Sequence, residues 1–216
     1  PWPTLALAQR LWDEPLAIAA CADASHALFR HGLVQLPAGR DSLDWQQPLE
    51  MPALVAQALL DGQCLPSGML RQSDMAPAEL PQELLPLLAR LRSDTPTAMQ
   101  LLPLQAPRGT DFAAWAQALA QASGRALMIL ADDVTPDRPG LGALATVCWM
   151  RGADLLLPEH WQACCGAGVA EHWFAPLAAL PLRWYLPVVD GGMAVRGVPA
   201  SLLLPTCLLP PLDTSA

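Results

Sequence analysis

The stretch Ala98–Asp133 reads AMQLLPLQAPRGTDFAAWAQALAQASGRALMILADD and decides the interpretation of the chain. It holds two apolar runs, residues 98–105 and 126–131, each the length of a buried strand. Between them lies a helical pattern that Thr110 or Asp111 is placed to cap. The stretch therefore predicts strand, tight loop, helix and strand in succession.

That order is typical of a P-loop unit, in which a G-x-x-x-x-G-K-[ST] loop holds phosphates with glycine amides and a lysine. The loop here consists of Pro107, Arg108, Gly109, Thr110, Asp111 and Phe112. When its turn is aligned on Gly109, the lysine position falls near Phe112 and the hydroxyl position near Ala113. The chain has no lysine, since all 12 basic residues are arginine. We expect a P-loop-like scaffold without the phosphate chemistry, and no cofactor in this chain.

The residues beyond this stretch continue the alternation of strand and helix. Further apolar strands are predicted at residues 152–158, 182–189 and 200–205. Near-continuous apolar strands that alternate with helices indicate a parallel sheet covered on both faces. The sequence therefore predicts an α/β fold, with an α/β domain over residues 96–216.

The first part of the chain has a different pattern. Short helical segments over residues 5–30 precede two candidate strands, residues 33–36 and 43–51. Helices followed by a β-hairpin predict a winged-helix-like domain over residues 1–95, and a helical bundle with an extended loop is the alternative. The turn-forming residues Ser93–Thr97 mark the predicted boundary.

Three segments carry a family resemblance: HALFRHGLVQL at residues 26–36, QPLEMPALVAQALLDGQ at residues 47–63, and the strand–loop–helix at residues 101–130. They resemble the N-terminal part of a group of bacterial AAA+ ATPases, in which a winged helix and a degenerate AAA-like domain precede a catalytic AAA module. The resemblance implies a non-catalytic assembly or recruitment region. Its implied partners are other domains or subunits of the parent ATPase and the protein substrates that the ATPase remodels.

The chain departs from a working AAA module at a second place. A Walker B strand ends in acidic residues that hold Mg²⁺, whereas ADLLLPEHW at residues 153–161 has Pro158 at that position and Glu159 beside it. We also expect this chain to lack the small helical lid, because the sequence given stops soon after the last predicted strand. The resemblance therefore places ATP and Mg²⁺ in a separate module beyond Ala216.

Composition limits the other classes of function. The net charge of −8 opposes binding to the nucleic-acid backbone. No apolar run reaches the roughly 18 residues of a membrane span, so we expect a cytoplasmic protein without a span. Cys164 and Cys165 lie between His160 and His172, but adjacent cysteines point apart and lack the spacing of a zinc site. Reduced thiols and no metal are therefore expected.

Two other functions stay open at this point. A nucleic-acid-binding winged helix would use the basic candidates Arg10, Arg30, His31 and Arg40. A small α/β enzyme would place its acid–base groups at the strand ends, where open α/β sheets bind ligands. Its candidates are Asp132, Asp133, Glu159 and His160.

The tryptophans suggest a contact surface. The chain has 8 tryptophans but 1 tyrosine and 3 phenylalanines, and tryptophan is enriched at the energetic centres of interfaces. Trp161, Trp173 and Trp184 fall in the less regular part of the second domain. We predict that this region packs against a neighbouring domain or subunit.

Overall fold

The computed structural model describes residues 3–23, 25–35, 44–60, 70–72, 78, 80–93, 96–134, 138–161, 174, 177–189 and 198–210. The helices are α1 (Leu5–Leu11), α2 (Pro15–Ala20), α3 (Ala27–Arg30), α4 (Ala53–Leu60), α5 (Leu85–Ser93), α6 (Phe112–Ala122) and α7 (Arg138–Met150). The strands are β1 (Leu70–Gln72), β2 (Gln100–Ala106), β3 (Ala126–Leu130), β4 (Ala153–Leu156), β5 (Arg183–Val189) and β6 (Cys207–Leu208). These elements confirm the predicted α/β fold.

The described strands form one sheet in the order β1-β3-β4-β5-β2-β6. Five of them run parallel, and β1 joins β3 antiparallel at one edge. β2 therefore lies inside the sheet, between β5 and β6. This position places the loop after β2 beside the carboxyl ends of its neighbours.

An apolar core lies on each face of the sheet, so its strands are buried on both sides. Val55 of α4 and Leu144 of α7 belong to the core on one face. Leu88 of α5 and Trp115 of α6 belong to the core on the other face. Successive strand residues alternate between the two, as Leu101 and Leu102 do.

The last predicted strand was misplaced. Residues 200–202 form a 3₁₀ turn, Leu203 makes an isolated parallel bridge to Leu101, and the regular pairing falls at β6. The edge strand β1, Leu70–Gln72, was not predicted, and it has only three residues. Backbone pairing, rather than an apolar pattern, joins β1 to the sheet.

The predicted hairpin of the first domain is reduced to single bridges in the described part of the chain. Gln35 and Glu50 exchange backbone hydrogen bonds of 2.8 and 3.1 Å, and Thr4 bridges Pro48. Residues 36–43, which include the predicted turn, lie outside the described residues. The winged helix stays a prediction.

Helices α4 and α5, which precede residue 96, share the two cores with the sheet. α4 packs on α7, and α5 packs on α6. Residue 96 therefore does not separate two cores, although a cleavable boundary between units 1–95 and 96–216 stays a prediction.

Candidate functional site

A pocket of about 170 Å³ lies at the carboxyl ends of the parallel strands. It is lined by Thr110, Asp111, Phe112, Ala113, Ile129, Leu130, Asp132, Leu156, Leu157, Pro158, Glu159 and Pro187. The two predicted degenerate segments, the loop after β2 and the end of β4, thus meet in one pocket. Open α/β sheets bind ligands at this edge, where the connections of adjacent strands leave toward opposite faces.

Asp111, one of the two predicted caps, caps the helix that borders the pocket. Its Oδ1 accepts hydrogen bonds from the amides of Ala113 at 3.0 Å and Ala114 at 3.2 Å. Amides at a helix N-terminus are the groups with which a P-loop holds phosphate. In this chain the amides of Ala113 and Ala114 instead donate to the Asp111 carboxylate.

The rest of the loop is also engaged with itself. The Thr110 hydroxyl donates to the Pro107 carbonyl oxygen at 2.8 Å, and Gly109 turns the chain with a φ of +89°. Pro107, Arg108 and Gly109 are exposed and do not line the pocket. Arg108, the basic residue of the loop, therefore does not line the pocket.

The charged groups that line the pocket in the described part of the chain are acidic. Among the residues that the structure describes, Asp111, Asp132 and Glu159 line it, and no arginine or histidine does. Phe112, Pro158 and other apolar side chains form the remaining wall. Because like charges repel more strongly near apolar surface than in water, this pocket opposes the approach of a triphosphate.

A buried charge network lies at the opposite, amino end of the strands. Asp154 accepts from Arg125 Nε at 2.5 Å and from the Tyr185 hydroxyl at 3.0 Å, and Arg183 Nη1 lies 3.8 Å from it. Arg183 also donates to Gln100 Oε1 at 3.3 Å. Burial, together with the Asp154 carboxylate, holds the pKa of Tyr185 well above its usual value of 10.0, so the phenol stays a donor.

Sequence reasoning missed this network, although its signal was present. Asp154 interrupts the apolar run of β4, and Arg183 begins the apolar run of β5. A charged residue inside such a run must be paired when the strand is buried. The network ties β4 to β5 in the interior.

The segment Arg30–Gly32, part of the family resemblance, docks onto α7. The Thr146 hydroxyl donates to the His31 carbonyl oxygen at 2.7 Å. The His31 ring stacks on Trp149, with ring centroids 4.6 Å apart and planes 24° apart. Gly32 has a φ of +68°, and a Cβ there would lie 2.7 Å from Thr146 Oγ1. The glycine is therefore required both by its backbone angle and by the close approach of α7.

Two of the three predicted interface tryptophans belong to the core of this chain. Trp161 donates from its indole N–H to the Pro187 carbonyl oxygen at 3.1 Å, and Trp184 is fully buried. Phe174 lies between them, in edge-to-face contact with both rings. This packing is a correction, because neither Trp161 nor Trp184 is available to a partner. Trp173 lies outside the described residues.

The residues of the other sequence hypotheses are scattered. Asp132 and Glu159 line the pocket, whereas Asp133 and His160 are exposed outside its lining. Of the nucleic-acid candidates, Arg10 and Arg30 are exposed and His31 is buried. Arg40, Cys164, Cys165 and His172 lie outside the described residues.

An exposed apolar surface on the first two helices was also missed. Leu7, Leu11, Trp12 and Leu16 are all exposed, and we call them the N-terminal apolar face. α2 reads PLAIAA and buries none of its residues. Its all-apolar composition was the signal, because a helix that is apolar on every side is normally buried.

Comparisons with known proteins add no family. No protein-family model matches the chain, and no curated protein matches it. None of the helices in the described ranges is long and apolar enough to cross a membrane. No group of three or more His, Cys, Asp or Glu in those ranges is arranged to hold a metal ion. The fold and the pocket define an α/β protein with an acidic cleft at the carboxyl ends of a parallel sheet.

Proposed function

We propose that this chain is a non-catalytic assembly or recruitment region of a bacterial AAA+ ATPase, in which a separate module binds ATP and Mg²⁺. One observation carries the non-catalytic part of the proposal. The Asp111 carboxylate accepts the hydrogen bonds of the Ala113 and Ala114 amides at the start of α6, where a working P-loop would hold phosphate.

The electrostatics of the pocket support the same conclusion. Phosphoryl transfer needs cationic groups on the phosphates and acids that hold Mg²⁺. Here Asp132 and Glu159 line the pocket, its described lining holds no basic residue, and Pro158 stands at the strand end. Arg108, the one cation of the loop, lies outside the lining.

The packing of residues 31–32 against α7 also supports the proposal, because it joins the first part of the chain to the α/β domain. The segments that carry the resemblance are not independent, since His31 and Gly32 contact Thr146 and Trp149 of α7. A rigid scaffold of this kind positions neighbouring domains without chemistry of its own.

Calorimetry with ATP and Mg²⁺ tests the non-catalytic role. We expect no binding heat at nucleotide concentrations up to about 1 mM, a level at which a working site with a micromolar Kd is saturated. The Arg108→Ala variant is the matched control, and it should behave like the wild type. A micromolar Kd that this variant abolishes would overturn the proposal and make Arg108 a phosphate ligand.

The parentage has a separate test. Reading the coding sequence beyond Ala216 should reveal a second module with a G-x-x-x-x-G-K-[ST] loop. A coding sequence that continues without that loop contradicts the proposed parent protein, whatever the calorimetry shows.

A further inference from the structure

The two ring nitrogens of His31 have different surroundings. His31 is 9% exposed, and its Nδ1 has no hydrogen-bond partner among the described residues. Its Nε2 lies 3.4 Å from Nη2 of Arg30. A guanidinium only donates, so Nε2 must be the acceptor and the neutral ring carries its proton on Nδ1. The lone pair that a second proton would take therefore points at a cation.

Protonation of the ring makes this docked position unfavourable. The added proton goes on Nε2, so a donor then faces a donor and a positive charge faces the Arg30 guanidinium. The buried Nδ1–H still lacks an acceptor, and an unpaired donor costs more when the ring is charged. The stack on Trp149 attracts a cation and so opposes both effects. Burial and, after it, Arg30 lower the pKa of His31, so the docked ring takes up a proton less readily than a ring in water.

The segment around His31, residues 27–33, is attached to the rest of the protein by few of the described contacts. α3 makes up most of the segment and buries none of its residues. The His31 carbonyl oxygen accepts from the Thr146 hydroxyl, and Leu33 packs half-buried against the core. Segments with few buried contacts open locally, at a lower free energy than global unfolding. Loss of the ring contact should therefore free this segment while the sheet stays folded.

Two neighbouring side chains bear on how this contact responds to pH. Arg30 is the one described charge that acts on the ring, and α7 meets the ring with Thr146 and Trp149, which do not titrate. His26 lies at the start of α3, where its Nδ1 accepts from an amide of the helix at 3.3 Å. Protonation of that nitrogen would remove the cap, so His26 is a second acid-sensitive group beside the segment.

We propose that His31 is a pH-dependent switch: its neutral ring docks residues 27–33 on α7, and its protonation releases that segment while the sheet stays folded. Because the released ring binds a proton more tightly than the docked ring, docking weakens as the pH falls through 6.5. The switch needs neither nucleotide nor a parent ATPase, so it stands or falls independently of the proposed function.

Hydrogen–deuterium exchange of the full chain, measured by mass spectrometry at pH 7.5 and pH 5, tests the switch once the intrinsic effect of pH on amide exchange is removed. Peptides that cover residues 27–33 contain amides hydrogen-bonded in α3, such as those of Arg30 and His31. Their protection should fall between about threefold and about thirtyfold at pH 5. The larger figure is the limit for a ring that titrates at 6.5 when released and stays neutral when docked. Peptides of β2 and β3 should keep their protection.

Three variants separate the groups involved. His31→Gln cannot take up a proton, so its protection ratio between the two pH values should stay near one, even if the segment is less protected overall. Arg30→Gln removes the facing charge and should reduce the acid effect about twofold, a small change because Arg30 is exposed. His26→Asn is the matched control, since asparagine caps a helix without titrating. It should keep the wild-type ratio.

Equal protection of the segment at both pH values would overturn the proposal, and so would an acid effect that survives in His31→Gln. Parallel loss of protection in β2 and β3 would contradict it as well, because acid would then lower global stability instead of releasing one segment. Loss of the acid effect in His26→Asn would assign that effect to the cap of α3. An NMR titration that places the pKa of His31 above 6.5 would show that the stack on Trp149 holds the charged ring in place.

Discussion

Gly32→Ala should destabilise the protein far more than the same change at a glycine with room around it. Both Gly32 and Gly152 have positive φ, +68° and +60°. A Cβ at Gly152 meets nothing within 4 Å, whereas a Cβ at Gly32 would lie 2.7 Å from Thr146 Oγ1. The difference between the two variants therefore isolates the contact with α7.

The magnitudes follow from the geometry. An alanine in the left-handed region costs about 1 to 2 kcal/mol, and the stiffer unfolded chain offsets about 0.4 to 1 kcal/mol of that. At Gly32 the new methyl group also displaces the Thr146 hydroxyl, which leaves the His31 carbonyl oxygen without its donor at a cost of about 1 to 3 kcal/mol. We expect a loss of about 1 kcal/mol at Gly152 and about 2 to 4 kcal/mol at Gly32.

Urea unfolding measures these losses, and a double-mutant cycle locates their cause. In a Thr146→Ala background the obstructing oxygen is gone, so Gly32→Ala should cost no more than Gly152→Ala, within about 0.5 kcal/mol. In a Thr146→Ser background the oxygen remains, and so should the full penalty. Equal losses at Gly32 and Gly152, or the same Gly32 loss in all three backgrounds, would refute the proposed contact.

Three further outcomes are expected. Because burial and the neighbouring Arg30 lower the pKa of His31 below 6.5, the unfolded chain binds more protons there, and stability should fall as the pH drops below 6.5. Urea unfolding should show the stability gap between wild type and His31→Asn narrowing over that range, and a widening gap would contradict the sign. Asp154→Ala leaves the buried Arg183 without its carboxylate and should lower the free energy of unfolding by about 3 to 5 kcal/mol. Asp132→Ala, at the exposed end of the strands, should lower it by less than about 0.5 kcal/mol. An Asp154→Ala loss as small as that of Asp132→Ala would show that the network is dispensable. Burial raises the pKa of Cys148 to about 12 and that of Cys207 to about 11. Iodoacetamide at pH 8 should therefore alkylate neither thiol until the protein is unfolded, as mass spectrometry would show. Labelling of either thiol in the folded chain would contradict its burial.

The sheet could be predicted because its strands are buried on both faces. Runs such as residues 126–130 are apolar without interruption, and the Asp111 cap is a local hydrogen bond that depends on neighbouring residues alone. Strand pairing is different, since it depends on segments far apart in sequence. β1 and β6 have two or three residues each, and their backbones carry the pairing without an apolar period to reveal it.

The candidate site was predicted in part for the same reason. The strand–loop–helix order places Asp111 and Pro158 at one edge of a parallel sheet, and the structure brings both to one pocket. The burial of Trp161 and Trp184 depends on how distant helices pack, which residue type does not determine. The contact of Gly32 with Thr146 spans more than 100 residues of chain, so no local pattern contains it.

The Asp111 cap has a consequence for competition. An anion arriving from solvent would have to displace a carboxylate that is covalently held beside the amides of Ala113 and Ala114. Even a ligand on a short flexible linker reaches an effective concentration of about 1 mM, and this carboxylate is held on the adjacent residue. At equal intrinsic affinity, free phosphate therefore has to exceed that concentration before it displaces the cap. The amides at the start of α6 are thus already hydrogen-bonded to a carboxylate of the same chain.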